Sequence, residues 1–233
     1  MARFDAIGFD ADDTLWHSES LYAETQAQLR QILGGYAAPD RIDAVLHATE
    51  MRNLALYGYG IKGFALSMIE AALDVSDDRL TGREVRQVLD AARQMLSAEV
   101  QLLDHAAEVV AHLAETYPLM LITKGDLFDQ ERKIEQSGLR SYFSQIEIVR
   151  DKTAEVYAAL LTKRHIPPPR FVMIGNSLRS DILPVVELGG YAIHIPYHIT
   201  WAHEHVEAPD PDGYVTLEHL GQLPAAIARL TSA

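Results

Sequence analysis

The sequence of 233 residues predicts an α/β fold in which an α-helical domain interrupts a parallel-sheet core. Short apolar segments of strand length alternate with segments whose apolar residues recur every three or four positions, which is typical of parallel βαβ units. About a hundred residues of helical pattern separate the first two strand segments, whereas an ordinary crossover needs little more than a dozen. The alternation predicts the sheet, and the long interval predicts the insertion.

Five strands are predicted, and each is followed by polar or small residues. They are Phe4–Phe9, Leu119–Thr123, Ile146–Val149, Phe171–Ile174 and Tyr191–Ile195. Open parallel sheets bind their ligands beyond the carboxyl ends of the strands. A Rossmann-like core of this kind therefore predicts a functional site where these strands end.

The interval between the first two strands carries four helical segments. These are Leu21–Leu33, Ile42–Leu56, Phe64–Leu73 and Val85–Met95. Gly34-Gly35 and Pro39 separate the first pair, since glycine ends helices and proline interrupts them. We expect an inserted helical cap domain at 16–98 on a core domain formed by 1–15 and 99–233.

Composition and charge exclude several classes of function. The formal net charge of −13 opposes binding to nucleic acid, and no basic stripe reverses that balance. Without cysteine there are no disulfides, thiolate metal sites or cysteine nucleophiles. No apolar segment reaches the ~20 residues of a membrane helix, and the N-terminal segment is typical of a first strand rather than a signal peptide. We expect a cytoplasmic protein that binds no membrane, either a monomer or a homodimer.

Asp10, Asp12 and Thr14 follow directly after the first predicted strand, in the segment Asp10-Ala11-Asp12-Asp13-Thr14. Neighbouring carboxylates at a strand end repel one another, and their desolvation is costly unless a cation is present. An Asp-x-Asp pair alone is more often a solvated turn. Its meaning therefore depends on which other side chains reach the same edge of the sheet.

Polar groups also follow three further strands. Thr123 and Lys124 come at the end of the second strand, and Lys152 follows the third. Gly175-Asn176-Ser177 ends the fourth, with Asp181 opening the next helix. Because the carboxyl ends of parallel strands share one edge, we expect these side chains to meet Asp10 in a single site.

These four motifs, in their order and spacing, resemble those of the haloacid dehalogenase (HAD) superfamily, in its phosphatase-type subgroup with a helical cap between the first two motifs. The resemblance covers essentially the whole chain. It implies that Asp10 is the nucleophile that forms an aspartyl-phosphate, and that Asp12 serves as general acid and then as general base. It also implies that Thr123 and Lys152 hold the phosphoryl oxygens.

The resemblance further implies a Mg²⁺ cofactor. Its ligands are Asp10, the backbone carbonyl of Asp12 and Asp181, an all-oxygen set that suits a hard cation. Asn176 stands where many members have an aspartate, and it would bind Mg²⁺ either directly or only through a bound water. Because this amide is neutral, we expect a weaker affinity for Mg²⁺.

Asp12 distinguishes between the chemistries of the superfamily. In its dehalogenases this position is not an acid, because a halide leaves without a proton. Asp12 therefore favours a phosphate ester as the substrate.

Asp13 stands where the family often has glycine, and we interpret it as a turn or helix-capping carboxylate.

Weaker predictions concern substrate binding. A loop with three glycines and two tyrosines, Tyr57–Gly63, interrupts the helices of the insertion. A cap loop is where selectivity for the substrate is expected, which makes Tyr59 and Lys62 candidates, although a plain helix connection explains the loop equally. Lys124 either contacts a phosphate oxygen or caps the sheet edge.

A group of histidines lies at the end of the fifth strand and after it, namely His194, His198, His203 and His205. Four histidines can hold a metal ion, but these lack the helical spacing of metal ligands. We interpret the segment as a solvated loop.

The predicted function is Mg²⁺-dependent hydrolysis of the phosphomonoester of a small metabolite. A phosphomutase that uses the same intermediate is an alternative. A non-catalytic binding protein on the same scaffold is another, motivated by Asn176. Sugar phosphates, nucleotides and phosphorylated acids all stay open as ligands.

Overall fold

A computed structural model describes residues 4–199, 201–204, 206 and 213–232 of the protein. The chain forms two compact units. The first contains Met1–Glu19, Val100–Lys124 and Glu131–Ala233, and the second contains Ser20–Glu99 together with Gly125–Gln130. The sequence-based bounds of the insertion, 16–98, do not include this last short segment.

Six strands form one sheet in the described part of the chain. They are β1 Ala6–Phe9, β2 Leu119–Lys124, β3 Phe143–Val149, β4 Phe171–Gly175, β5 Tyr191–His194 and β6 Tyr214–Thr216. Their order across the sheet is β3-β2-β1-β4-β5-β6, and every neighbouring pair is parallel. The predicted α/β fold with a parallel, Rossmann-like sheet is confirmed, and β6 is a strand that the sequence analysis misses.

Nine α-helices accompany the sheet among the described residues. They are α1 Glu19–Leu33, α2 Pro39–Tyr57, α3 Ile61–Ser76, α4 Gly82–Ser97, α5 Ala106–Ala114, α6 Leu127–Gln136, α7 Ala154–Lys163, α8 Leu183–Glu187 and α9 Leu223–Ser232. The four helices predicted for the insertion are present, and each is longer than predicted. Helix ends are marked less clearly by an apolar pattern than the middle of a helix is.

The sheet is covered on both faces because its central strands are apolar on both sides. In β4, Val172 and Ile174 pack in a cluster with residues of α5 and α9, whereas Phe171 and Met173 pack with residues of α7 and α8. Successive side chains of a strand point to opposite faces, so an uninterrupted apolar strand needs a layer on each side. This arrangement leaves the strand ends as the place for polar groups.

The chain reverses direction across the sheet between β1 and β4. It builds β2 and β3 on one side of β1 and then β4, β5 and β6 on the other. Such a reversal opens a crevice beyond the carboxyl ends of the two central strands. Gly8 leaves room for the ring of Phe171, because a Cβ at this position would lie 2.5 Å from Cζ of that ring.

The second unit has a hydrophobic core of its own, formed by buried residues of α1 to α4. Helix α4 begins with a capping box in which Thr81 Oγ1 accepts from the N–H of Glu84, and the Glu84 carboxylate accepts from the N–H of Thr81 at 2.7 Å. None of the helices that the structure describes combines the length and the apolar character needed to cross a membrane.

Candidate active site

Asp10 is the first residue after β1, and its backbone ties that strand to β4. Its N–H donates to the carbonyl of Ile174 at 2.8 Å. The carboxylate is buried, and one of its oxygens accepts from Thr14 Oγ1 at 2.9 Å while the other accepts from Nζ of Lys152. The end of β1 thus presents a carboxylate that a hydroxyl and an ammonium hold in place.

Lys152 joins Asp10 to a second buried carboxylate. Its Nζ also donates to Oδ1 of Asp181 at 2.7 Å, and only 1% of the lysine side chain is exposed. Lys152 follows β3, and Asp181 follows β4. The structure therefore brings together three of the predicted residues, which come from three strand ends.

The position of Asp181 depends on Gly175 and Ser177. Asp181 lies in a single π-helical turn, Leu178–Ile182, and its Oδ2 accepts from the N–H of Ser177 at 3.0 Å. A Cβ on Gly175 would lie 2.3 Å from Cγ of Asp181. Glycine at the end of β4 is therefore required by the close approach of this carboxylate to the strand.

Burial and charge have opposing effects on these groups. Burial raises the pKa of Asp10 to about 7, although the Lys152 ammonium opposes that change, and the Asp181 carboxylate adds to it. For Lys152, burial lowers the pKa, but the carboxylates of Asp10 and Asp181 outweigh burial and raise it above its ordinary value. Lys152 is therefore a cation throughout the physiological pH range. A further positive charge near Asp10 would favour the ionised form of the Asp10 carboxyl group.

Thr14 connects Asp10 to Asn176. Its hydroxyl lies 2.9 Å from Oδ2 of Asp10 and 3.3 Å from Oδ1 of Asn176. Thr123 is buried near the end of β2, the strand next to β1. Asn176 and Thr123 thus lie at the same edge of the sheet as Asp10.

The side chain of Asp12 is held by a lysine that the sequence analysis misses. Nζ of Lys133 lies 2.6 and 2.8 Å from the two carboxylate oxygens of Asp12, and Nε1 of Trp16 donates to one of them at 2.7 Å. The exposed fractions are 11% for the Lys133 side chain and 26% for that of Asp12. Asp12 is thus oriented from two sides and is only partly buried.

Burial on a helix distinguishes Lys133 from an ordinary surface lysine. Lys133 lies on α6 beside Ile134, and both are buried. A lysine on the buried face of a helix needs a carboxylate partner within reach. The sequence shows such a lysine, but it does not show which carboxylate it meets.

Asp13 caps a helix, as interpreted from the sequence. Its carboxylate accepts from the N–H groups of Ser18 and Glu19 at 2.9 and 3.0 Å, where α1 begins. Its φ angle of 61° lies in the left-handed region that favours glycine. Asp13 therefore has a structural task in this turn.

Comparison with known proteins identifies the family. A family model described as haloacid dehalogenase-like hydrolase matches residues 4–189. The chain belongs to this family. The hydrolase is also 40% identical to a haloacid dehalogenase-like family hydrolase from Xanthomonas campestris, with a TM-score of 0.90 over 99% of this chain and 93% of that chain. No match is found among curated proteins.

Two more distant structures share the fold of this hydrolase. A predicted phosphoglycolate phosphatase from Haemophilus somnus 129PT is 18% identical, with a TM-score of 0.62 over 97% of this chain and 99% of that chain. An L-2-haloacid dehalogenase from Xanthobacter autotrophicus is 14% identical, with a TM-score of 0.64 over 97% of this chain and 98% of that chain. At these identities the likeness concerns the fold alone, and that fold carries both chemistries.

The donor atoms of the hydrolase fit a hard divalent cation. The Lys152 ammonium bridges an oxygen of Asp10 and an oxygen of Asp181, so one cation can contact both carboxylates. The described residues contain no group of three or more His, Cys, Asp or Glu side chains suited to a metal ion. Mg²⁺ needs no such group, because it is usually bound by one or two carboxylates and keeps several waters. The amide oxygen of Asn176, which lies 3.3 Å from Thr14 Oγ1, is a further oxygen donor at this edge of the sheet.

Two further predicted residues, Lys124 and Lys62, form ion pairs with carboxylates. Lys124 donates to Ser180 Oγ at 2.8 Å and contacts the carboxylate of Glu204. In the second unit, Lys62 Nζ donates to Oδ1 of Asp126 at 2.8 Å. A role of Lys62 and Tyr59 in substrate binding stays a prediction.

The histidine segment shows no metal centre among its described residues. Nε2 of His194 lies 3.0 Å from the carbonyl oxygen of Asn176, and the ring of His203 packs 4.9 Å from that of Trp201. His205 lies outside the described residues. His194 therefore supports the backbone of the turn that carries Asn176.

Proposed function

We propose that this hydrolase is a Mg²⁺-dependent phosphatase that hydrolyses the phosphomonoester of a small metabolite through an aspartyl-phosphate on Asp10. The observation that carries the proposal is the buried cluster in which Lys152 contacts both Asp10 and Asp181. A carboxylate nucleophile, a fixed cation and a second carboxylate for a metal are thereby held at the carboxyl ends of β1, β3 and β4.

The first requirement of this reaction is to overcome like-charge repulsion. A carboxylate that approaches a phosphate group is repelled by about 4 kcal/mol per pair of unit charges at ~4 Å and an effective dielectric constant near 20. The ammonium of Lys152 offsets this repulsion and favours the charge that spreads over the phosphoryl oxygens in the transition state. The Thr123 hydroxyl donates to one of those oxygens and orients the group.

Mg²⁺, when bound, supplies further positive charge beside the phosphoryl oxygens. The residues that would hold it are Asp10 and Asp181 through their carboxylates, Asp12 through its backbone carbonyl, and Asn176 directly or through a water. Because Asn176 is neutral, the site carries less negative charge than one with an aspartate at this position. We expect a correspondingly higher requirement for Mg²⁺.

Asp12 supplies the proton chemistry. It protonates the oxygen of the leaving alcohol and then accepts a proton from the water that attacks the phosphorus of the aspartyl-phosphate. Such general acid–base catalysis is typically worth about 10²–10⁴-fold in rate. Contacts with Lys133 and Trp16 keep the Asp12 carboxylate in a defined position for both steps.

Asp12 also supports a phosphatase over a dehalogenase. A halide leaves without a proton, so a dehalogenase gains nothing from an acid at this position, whereas an alcohol leaving from phosphorus does. The shared fold does not decide between the two activities. We therefore propose a small phosphoester as the substrate of the hydrolase. The proposed location is the cytoplasm, as expected from the composition of the sequence.

The test measures two products side by side. Inorganic phosphate is measured with p-nitrophenyl phosphate and a panel of phosphoesters, with and without Mg²⁺, and chloride is measured with 2-chloropropionate. We expect Mg²⁺-dependent release of phosphate that is lost in Asp10→Asn and kept in Asp104→Asn, a control at an exposed aspartate.

Three results would contradict the proposal. Chloride release that depends on Asp10, without phosphate release, would indicate a dehalogenase. Conversion of a phosphosugar to its isomer would indicate a mutase. No product from any substrate would favour a binding protein.

A further inference from the structure

A second charged cluster lies beside the candidate site, in the same unit of the protein. The carboxylate of Glu204 contacts Nζ of Lys124 and accepts from the hydroxyls of Ser177 and Ser180 at 2.5 and 2.7 Å. Lys124 also donates to Ser180 Oγ at 2.8 Å. One carboxylate therefore binds the residue that ends β2 and two residues of the turn that follows β4.

The cluster is well shielded from water, and its charges are paired. The exposed fractions of the side chains are 16% for Lys124 and 11% for Glu204. Burial would raise the pKa of Glu204, but the Lys124 ammonium and the hydroxyls of Ser177 and Ser180 lower it to about 2. Removal of one partner would leave the other charge partly buried without compensation.

The neighbours of these residues are those assigned to the reaction. Lys124 directly follows Thr123, the hydroxyl proposed to orient the phosphoryl group. Ser177 uses its N–H to hold Asp181, and its hydroxyl accepts from the N–H of Ser180 at 3.0 Å. Glu204 therefore holds the side chains of residues that neighbour Thr123 and Asp181 in the chain.

A second attachment holds the segment that carries Glu204. The Arg179 guanidinium donates to the carbonyl of His203 at 2.6 Å. Arg179 belongs to the same π-helical turn as Asp181. The segment 201–204 is thus bound to this turn through both a side chain and a backbone group.

We infer that Glu204 is a positioning residue of the active site, which holds Lys124 and the Ser177–Ser180 turn so that Thr123 and Asp181 are placed for phosphoryl transfer. The inference rests on the proposed function. It also gives Lys124 a structural partner, which favours the second of the two roles considered for it, at the edge of the sheet. Glu204 itself touches no reacting atom in this scheme.

The test compares wild type with Glu204→Gln, Lys124→Met and the double variant, with Glu218→Gln as a control at an exposed glutamate of the same unit. Two quantities are measured: kcat and KM for the best substrate of the panel as Mg²⁺ is titrated, and the increase in the thermal midpoint that MgCl₂ alone produces. The second readout needs no turnover.

We expect Glu204→Gln to lower kcat about tenfold or more, with a smaller change in KM, and to raise the Mg²⁺ concentration for half-activation. The thermal shift produced by MgCl₂ is expected to shrink. The double variant should be no worse than the poorer single variant, because the two residues act as a pair. Ser180→Ala removes the hydroxyl that contacts both Glu204 and Lys124 without unpairing a charge, and it replaces Glu204→Gln if that variant does not fold.

Two results would overturn the inference. One is a Glu204→Gln protein with the kcat and the Mg²⁺-induced thermal shift of wild type. The other is a loss of activity that equals the fraction of protein that is unfolded, with the Mg²⁺ concentration for half-activation unchanged. If wild type itself releases no phosphate, the proposed function fails first, and the MgCl₂ thermal shift still tests the role of Glu204.

Discussion

The ammonium of Lys133 contacts both carboxylate oxygens of Asp12, at 2.6 and 2.8 Å, and this pair links α6 to the segment that follows β1. Charge-assisted contacts of this kind are stronger than those between neutral groups and restrict the carboxylate to one orientation. The acid–base group of the proposed reaction therefore depends on a residue more than a hundred positions away in the chain.

Lys133→Met is expected to impair proton transfer more than phosphate binding. Loss of the ammonium frees the Asp12 carboxylate, so kcat should fall about tenfold for alkyl phosphates, whose leaving group needs a proton, and less for p-nitrophenyl phosphate. Lys133→Arg should recover part of the loss, and Lys163→Met at an exposed lysine should have no effect. Equal losses on both classes of substrate would show that Lys133 has no part in orienting the acid.

Asn176→Asp is expected to increase the affinity for Mg²⁺. The substitution keeps an oxygen acceptor for the Thr14 hydroxyl, which lies 3.3 Å from Oδ1 of Asn176, and adds a negative charge. Titration of activity with MgCl₂ at saturating substrate should show half-activation at a lower concentration, with little change in KM. An equal Mg²⁺ requirement in both forms would show that residue 176 does not act at the metal.

Gly175→Ala is expected to displace Asp181. A methyl group at this position would lie 2.3 Å from Cγ of Asp181, so the carboxylate or the strand must move. We expect a protein that needs roughly tenfold more Mg²⁺ for half-activation, since positional errors of about 1 Å are costly at a reacting centre. Gly82→Ala is the matched control, because a Cβ there meets no atom within 4 Å. Wild-type Mg²⁺ activation in Gly175→Ala would contradict the placement of Asp181.

Glu50 makes the stability of the protein depend on pH. Burial on α2 raises its pKa from the ordinary value of 4.5 to about 7. The folded state therefore binds the proton more tightly than the unfolded state, and the contribution of Glu50 to stability falls as the pH rises from about 4.5 to about 7.

Glu50→Gln imitates the protonated form and should raise the free energy of unfolding by about 1 kcal/mol at pH 8, after allowance for partial exposure, and by nearly nothing at pH 4.5. Urea unfolding at the two pH values measures the difference. Glu24→Gln at an exposed position of α1 should show no such dependence. A Glu50→Gln variant with the same stability as wild type at pH 8 would contradict the burial of this carboxylate.

The sequence predicts the elements of the fold well because their signals are local. Five of the six strands follow from apolar segments such as Phe171–Ile174, and Asp13 is recognised as a cap because helix starts favour short acidic side chains. Strand β6 is missed because Tyr214–Thr216 is too short to show a pattern beside a segment rich in proline and aspartate. Its pairing with β5 is a tertiary contact.

In the candidate site, too, the sequence predicts the residues that local patterns mark and misses those that depend on contacts between distant segments. Asp10, Lys152 and Asp181 are predicted to meet because each follows the end of a strand within a few residues, and parallel strands bring those ends together. Lys133 lies on an α-helix and Glu204 in a short 3₁₀ helix, and charged residues at such places are usually solvated. Their partners are set by packing between distant segments, which one sequence does not display.

The covalent intermediate on Asp10 is the most direct test of the account. Wild type is mixed with substrate and Mg²⁺, treated with borohydride, which reduces an acyl phosphate to an alcohol, and analysed by peptide mass spectrometry. We predict homoserine at position 10, formed only when substrate is present and absent from Asp10→Asn. Active enzyme with an unmodified Asp10, or phosphate release that persists in Asp10→Asn, would contradict it.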